Sequence, residues 1–371
     1  MLPAAQKNTK PLKIYVAGSY LDINLMICDC LKTEGFDAWT TSDRRSLFDA
    51  DVLLFPCDVS QLFVAEDFIR QKGRRPLTIL WQTDPLPPDQ IPVDAEKIGL
   101  RIVRLDWRRI IKGRLGNLFQ KYLPFGREIL RLGRYYFAAR IKKILMENGL
   151  ERYASCRSRE WERVMARYDN FKKYGDKNIA DFIFTTTPAK QQFLSARGFA
   201  SRFVPIAYHP LFGDDMNLQR DIDVLFLGSL NNVRRKRILK TLKKNLAKDN
   251  IKFEIVDKDC FGKERTELLS RSKISIDLPR VPWDYAIERF LMSMGCGSLV
   301  ISEISANSSP FIPGTHFVSA NAGVFESSIR YYLKNSKERE RITKTSYNFV
   351  TNELILKNSV LAILKKCSLI G

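Results

Sequence analysis

Histidine is nearly absent from this chain. The 371 residues hold two, His209 and His316, both past residue 200. The seven cysteines form no pair of closely spaced pairs: Cys28 and Cys30 lie two apart, and Cys57, Cys156, Cys260, Cys296 and Cys367 are scattered. A Cys/His zinc site is therefore not expected, and reduced thiols in a cytosolic setting are the plain reading. No run of about 18 apolar residues exists, so no membrane span is predicted. The opening MLPAAQKNTKPLKIYVAG lacks the apolar core and cleavage site of a signal peptide. Neither a Walker-type loop nor a GxGxxG turn occurs, which leaves ATP and dinucleotide readings without support. Acidic residues are the minority, 41 against 61 Lys plus Arg, for a formal charge of +20. That balance favours an anionic partner: phosphates, a nucleic acid or an acidic membrane surface.

What is present suits two α/β domains. Forty-five per cent of the residues are hydrophobic, enough for two packed cores at this length. Short apolar runs at 12–18 (LKIYVAG), 36–41, 51–56 (DVLLFP) and 77–81 (LTILW) read as buried parallel strands. Helical spacing at 23–31 and 60–71 separates them, the second helix opening at Ser60. Strands alternating with helices imply a parallel sheet, whose ligands bind at the strands' carboxyl ends. Residues 181–187 (DFIFTTT) and 202–206 complete the first domain, with Pro188 opening a helix between them. The turn-rich stretch 208–220 is the expected linker.

Residues 101–167 stand apart. They carry 18 Lys and Arg against 6 Asp and Glu, interleaved with nine aromatics. An amphipathic helix on anionic lipid, a phosphate-contacting surface for nucleic acid, and a merely solvated or core-packed helix are all compatible with this pattern.

The second half starts another strand–loop–helix series. The strand 223–227 ends in Gly228-Ser229, and the next helix opens with Arg234, Arg235, Lys236 and Arg237. A strand, a small-residue turn and a helix N-terminus make a natural anion site. A solvated basic face running on through Lys240, Lys243, Lys244 and Lys248 is the competing reading. Further strands lie at 252–256, 273–278 (KISIDL) and 298–302. The helix around Glu288-Arg289-Phe290 starts at the carboxyl end of KISIDL and stops at Gly295-Cys-Gly297. Residues from about 337 to 366 form an amphipathic helical tail.

In this order, the Gly228-Ser229 turn with its basic helix, Ser270-Arg-Ser-Lys-Ile-Ser-Ile, the Glu288-Arg289-Phe290 helix and Phe311-Ile-Pro-Gly314-Thr-His316 resemble glycosyltransferases of the GT-B fold. The similarity is to the group-1-like branch that includes spore-maturation CgeB-like proteins. It covers roughly 180–335. The resemblance implies an α/β chain of two Rossmann-like domains with parallel sheets facing across a cleft. An acceptor domain would span 1–207, with the basic insertion at 101–167. A nucleotide-sugar donor domain would span 208–336, and a helical tail 337–371. The implied partner is a nucleoside-diphosphate sugar, its phosphates at Gly228, Ser229, Arg234, Arg235 and Lys236, with Asp284 and Arg289 also on the donor side. Cations and fixed N–H groups aimed at the leaving phosphate stabilise its growing charge. No metal or other cofactor is expected: the adjacent Asp214 and Asp215 lie in the expected linker.

Two departures from the family pattern stand out. Retaining relatives commonly carry two glutamates eight positions apart; aligned on Gly297, those positions hold Asp284 and Met292. Methionine cannot replace a carboxylate as a ribose acceptor, and Glu288, one turn earlier, is the candidate substitute. Inverting relatives often use a first-domain histidine, which this chain lacks. A carboxylate would serve instead, Asp84 first and Asp58 next, although a turn or helix cap is the commoner use of such residues. The expected activity is sugar transfer, with retention, to a lipid-linked or cell-envelope acceptor. A nucleic-acid acceptor and a non-catalytic binding protein are the alternatives.

Overall fold

The computed structural model describes residues 11–18, 21–41, 46–104, 136, 139–150, 158–257, 260–303 and 307–370. Much of the basic segment 101–167, including Arg131 and Arg134, lies outside the described residues.

Two parallel sheets organise the chain. The first has six strands in the order β2-β1-β3-β4-β5-β6. These are β1 Lys13–Val16, β2 Asp37–Thr40, β3 Val52–Phe55, β4 Leu77–Gln82, β5 Phe182–Thr185 and β6 Arg202–Phe203. The second has five, β11-β10-β9-β7-β8, formed by β7 Ile222–Leu227, β8 Phe253–Val256, β9 Ser272–Asp277, β10 Leu299–Ser302 and β11 Val318–Ser319. Helices cover the faces of such sheets, so inner strands read as unbroken apolar runs. Every residue of β3 and β10 is buried.

In the first domain, α1 Leu21–Thr33, α2 Phe63–Lys72, α3 Val93–Arg104, α4 Ser158–Gly175 and α5 Pro188–Ser195 surround the sheet. A further helical stretch spans 139–147. The predicted helix at Ser60 instead opens with a 3-10 turn, Val59–Leu62, whose cap is the Asp58 side chain accepting from the Ser60 N–H at 2.7 Å. Of the aromatics in the basic segment, Trp161 is buried in the core on one face of this sheet. At that position the core-packed reading holds.

In the second domain the helices are α6 Val233–Leu246, α7 Gly262–Ser270, α8 Ile287–Gly295, α9 Phe325–Lys334 and α10 Ser336–Asn348. The last helix, α11 Leu356–Lys366, crosses back and packs on α1 of the first domain. The segment after 336 is thus divided between the two domains. The 208–220 stretch is ordered rather than loose: Tyr208 is buried and bridges in parallel to Ile355, where the chain crosses the second time.

Candidate functional site

In the second sheet the chain winds one way from β7 to β8 and the other way through β9, β10 and β11. The carboxyl ends of β7 and β9 therefore meet at a topological switch point, where such sheets leave a crevice. Gly228 follows β7 there with φ +141°. A β-carbon at Gly228 would lie 2.5 Å from Nη2 of Arg289, so only glycine lets that guanidinium lie on the turn. Arg289 stands on the first turn of α8, beyond the end of β9. Its Nη1 is 3.5 Å from Asp277 Oδ1. Asp277 ends β9 buried, and its other oxygen accepts from Ser302 Oγ at 3.0 Å. Burial pushes the Asp277 carboxyl up, against the pull of Arg289 and Arg235.

The four basic residues opening α6 have three different fates. Asn232 caps the helix, accepting from the Arg235 N–H at 3.2 Å. Arg235 is 2% exposed and braces the crevice from behind: Nη1 donates to the Ser229 carbonyl at 3.0 Å and Nη2 to that of Leu278. Burial first, then repulsion by Arg289, push this guanidinium down to about 9, so it stays charged at neutral pH. Arg234 is ion-paired with Glu303 and does not line the crevice. Lys236 and Arg237 are exposed on the outer face. The phosphate-facing set expected from sequence thus narrows: Gly228, Ser229, Arg235 and Arg289 line the crevice, and Arg234 and Lys236 do not.

The crevice opens into a cleft of about 660 Å³ walled by both domains. From the first domain come Asp84, after β4, and Lys190, on α5; from the second come Asp284 and Glu288. Asp84 Oδ1 accepts from Arg167 Nη2 at 2.9 Å. The same guanidinium holds Asp58 and donates to the Pro85 carbonyl at 3.1 Å. Asp58 is therefore a cap and an Arg167 partner, not a free base. Burial raises the Asp84 carboxyl, with Arg167 as the main counterweight. Burial also raises Glu288, and Lys190 opposes that shift while Asp84 and Asp284 add to it. These mutual influences place the three carboxylates and Lys190 in one electrostatic cluster.

Asp284 lines the cleft and also links the two domains. It is 3% exposed, 2.9 Å from the Lys190 ammonium, and accepts from Thr187 Oγ at 2.8 Å. Its carboxylate spans the domain boundary, since Oδ1 also accepts from the Tyr285 N–H at 3.0 Å. Beside it Trp283 reaches into the first domain's core, packs tilted against Trp161 with ring centroids 4.9 Å apart and donates to the Leu86 carbonyl at 2.7 Å. Met292 does line the cleft. Among the described residues no group of three or more His, Cys, Asp or Glu side chains is placed to hold a metal ion. Among them, no helix is long and apolar enough to cross a membrane.

Sequence reasoning passed over Lys190, Asp277 and Arg167. For Asp277 the signal was present: one carboxylate closing a buried strand at its carboxyl end. Arg235 carried a signal too, since Arg235, Leu239, Leu242 and Leu246 form the buried stripe of α6 at helical spacing.

Residues 234–364 match a family model described as glycosyl transferase-like. That match begins after β7 and the Gly228–Ser229 turn, takes in the rest of the second domain and most of the C-terminal helices, and does not single out a CgeB-like branch. No curated protein matches the chain. Among solved structures, sucrose-phosphate synthase from Thermosynechococcus elongatus superposes with a TM-score of 0.54 at 11% identity, over 96% of this chain and 98% of that one. A glycosyltransferase from Rickettsia africae gives 0.47 at 11% identity, over 96% and 98%. Anabaena HepE, solved in complex with UDP and glucose, gives 0.47 at 10% identity, over 97% and 100%. The architecture is the two-domain GT-B fold, with two Rossmann-like parallel sheets across a cleft.

Proposed function

We propose that the protein transfers a sugar from a nucleoside-diphosphate sugar to an acceptor held by the first domain. The observation that carries this reading is the cationic crevice at the second sheet's switch point, where Arg289 lies on Gly228 and faces a cleft shared with Asp84. The match to a glycosyl transferase-like family over that same domain supports it.

On this reading the diphosphate sits on the Gly228–Ser229 turn. Arg289 neutralises charge as the bond from the anomeric carbon to the phosphate oxygen breaks. Arg235 holds the turn in place. Glu288 contacts the donor's sugar or ribose, and Asp84, oriented by Arg167, faces the acceptor hydroxyl. Transfer proceeds with retention: the acceptor oxygen bonds the anomeric carbon on the face the phosphate leaves, and the acceptor proton passes to the departing phosphate oxygen. No strong enzymic base is then required, which suits an Asp84 already bound to Arg167. The net charge of +20 supports an acceptor carried on an anionic surface, a lipid-linked or envelope molecule.

Calorimetry with UDP, GDP, ADP and TDP tests the donor site, and hydrolysis of the matching sugar nucleotide tests turnover. Tight binding of one diphosphate, weakened tenfold or more by Arg289→Ala, is expected. Failure of all four to bind would end the reading. The anomeric configuration of a transferred sugar, read by proton NMR, decides retention.

A further inference from the structure

The outer face of α6 has no part in the cleft. Lys236, Arg237, Lys240, Lys243, Lys244 and Lys248 are all exposed, the last just past the helix end. At 100° per residue they fall within an arc of about 140°, and at 1.5 Å per residue they run along about 18 Å. None of the six is in an ion pair with a described residue. Carboxylates that touch this helix and its flanks are engaged elsewhere: Glu303 by Arg234, and Asp249 and Glu326 by Arg330. Like charges four apart destabilise a helix, and Lys236, Lys240, Lys244 and Lys248 form an unbroken i,i+4 series. Val233, on the same face, is 52% exposed.

We propose that this face is a docking surface for an anionic lipid bilayer. A convex helix side whose cations share one arc meets a plane with all of them at once, and long lysine stems lie along the interface with their ammonium groups at the phosphates. Nucleic acid fits less well. The face carries no aromatic side chain for stacking single strands. It offers no free amide for reading base edges either: Asn232 is the cap and Asn245 donates to Glu326. The surface is separate from the cleft and does not depend on the transferase reading.

The test is co-sedimentation of the full chain with vesicles of phosphatidylcholine, with and without phosphatidylglycerol. The wild type is expected to bind the anionic vesicles, to ignore the neutral ones and to be released at about 1 M salt, where screening shortens to about 3 Å. Reversal of Arg237, Lys240, Lys243, Lys244 and Lys248 to Glu should weaken binding by a hundredfold or more. A control reversing the exposed Lys32, Lys72, Lys337, Lys365 and Lys366 has the same net charge and should retain binding within about threefold. Should the Glu variant melt early, substitution by Gln removes charge without acid and should still lose at least tenfold. The proposal is overturned if the wild type ignores anionic vesicles, if it binds only duplex DNA, if the α6 variant sediments like the wild type, or if the scattered control loses as much.

Discussion

Arg289 occupies the volume that any side chain at Gly228 would need, and the backbone there holds φ +141°. Gly228→Ala is therefore strained by its dihedral, whereas the guanidinium, at the end of a flexible side chain, can move aside. It should lose about 1–3 kcal/mol of stability and displace Arg289 from the turn. Urea unfolding and nucleotide calorimetry together check this. Combining it with Arg289→Ala should leave the dihedral strain in place, so the stability loss should persist in the double variant.

Arg289 and Arg235 should separate cleanly. Arg289→Ala removes a partly exposed cation and should cost about 1.5–3 kcal/mol of diphosphate binding, with a smaller stability loss because Asp277 keeps its Ser302 hydrogen bond. Arg235→Ala leaves the Ser229 and Leu278 carbonyls without their buried donor. It should cost about 1–3 kcal/mol per orphaned group in folding stability. Equal binding losses with equal stability in the two variants would contradict this division.

Glu288 gives a pH signature. Burial raises its carboxyl, so the folded state binds the proton more tightly than the unfolded state. Stability then falls as pH rises from the unfolded carboxyl range through the folded value. Glu288→Gln should match the wild type near pH 4 and melt higher than it at pH 8, while turnover drops. Melting curves across that range decide it; a Gln variant less stable at every pH would assign Glu288 a structural hydrogen-bonding role.

The Lys190–Asp284 pair joins the domains at 2.9 Å with both partners nearly dry. Losing one member of such a pair typically costs about 3–5 kcal/mol, because the other charge stays buried. Lys190→Met and Asp284→Asn should each show a loss of that order, and the double variant less than their sum. A double-mutant cycle in urea measures the coupling, and strict additivity would show that the two do not act as a pair.

Much of the framework was legible because periodicity is local. A buried parallel strand announces itself in a short apolar run: β1, β2, β3 and β10 fall within the stretches their sequences suggest, and β7 and β9 each begin one residue earlier. The same locality explains what was missed. Arg167 and Asp58 are 109 positions apart, and nothing near either names the other. Lys190 and Asp284 meet only because a second-domain loop drives Trp283 into the first domain's core. Among Arg234, Arg235 and Lys236, successive residues point 100° apart, so one run of like charges serves an ion pair, a buried brace and an open surface. The glycosyltransferase resemblance located the crevice, but packing decided which arginine faces it.

Tyr208 and Ile355 run side by side where the chain passes between domains in both directions. Two crossing segments tied by backbone hydrogen bonds act as a paired strap: bending about their common line is easier than twisting one domain on the other. Because α11 covers α1, the first half of the chain is finished by its last helix. During synthesis the surface of α1 waits uncovered until residues 356–366 leave the ribosome, so the first domain completes its packing only after the second has been made.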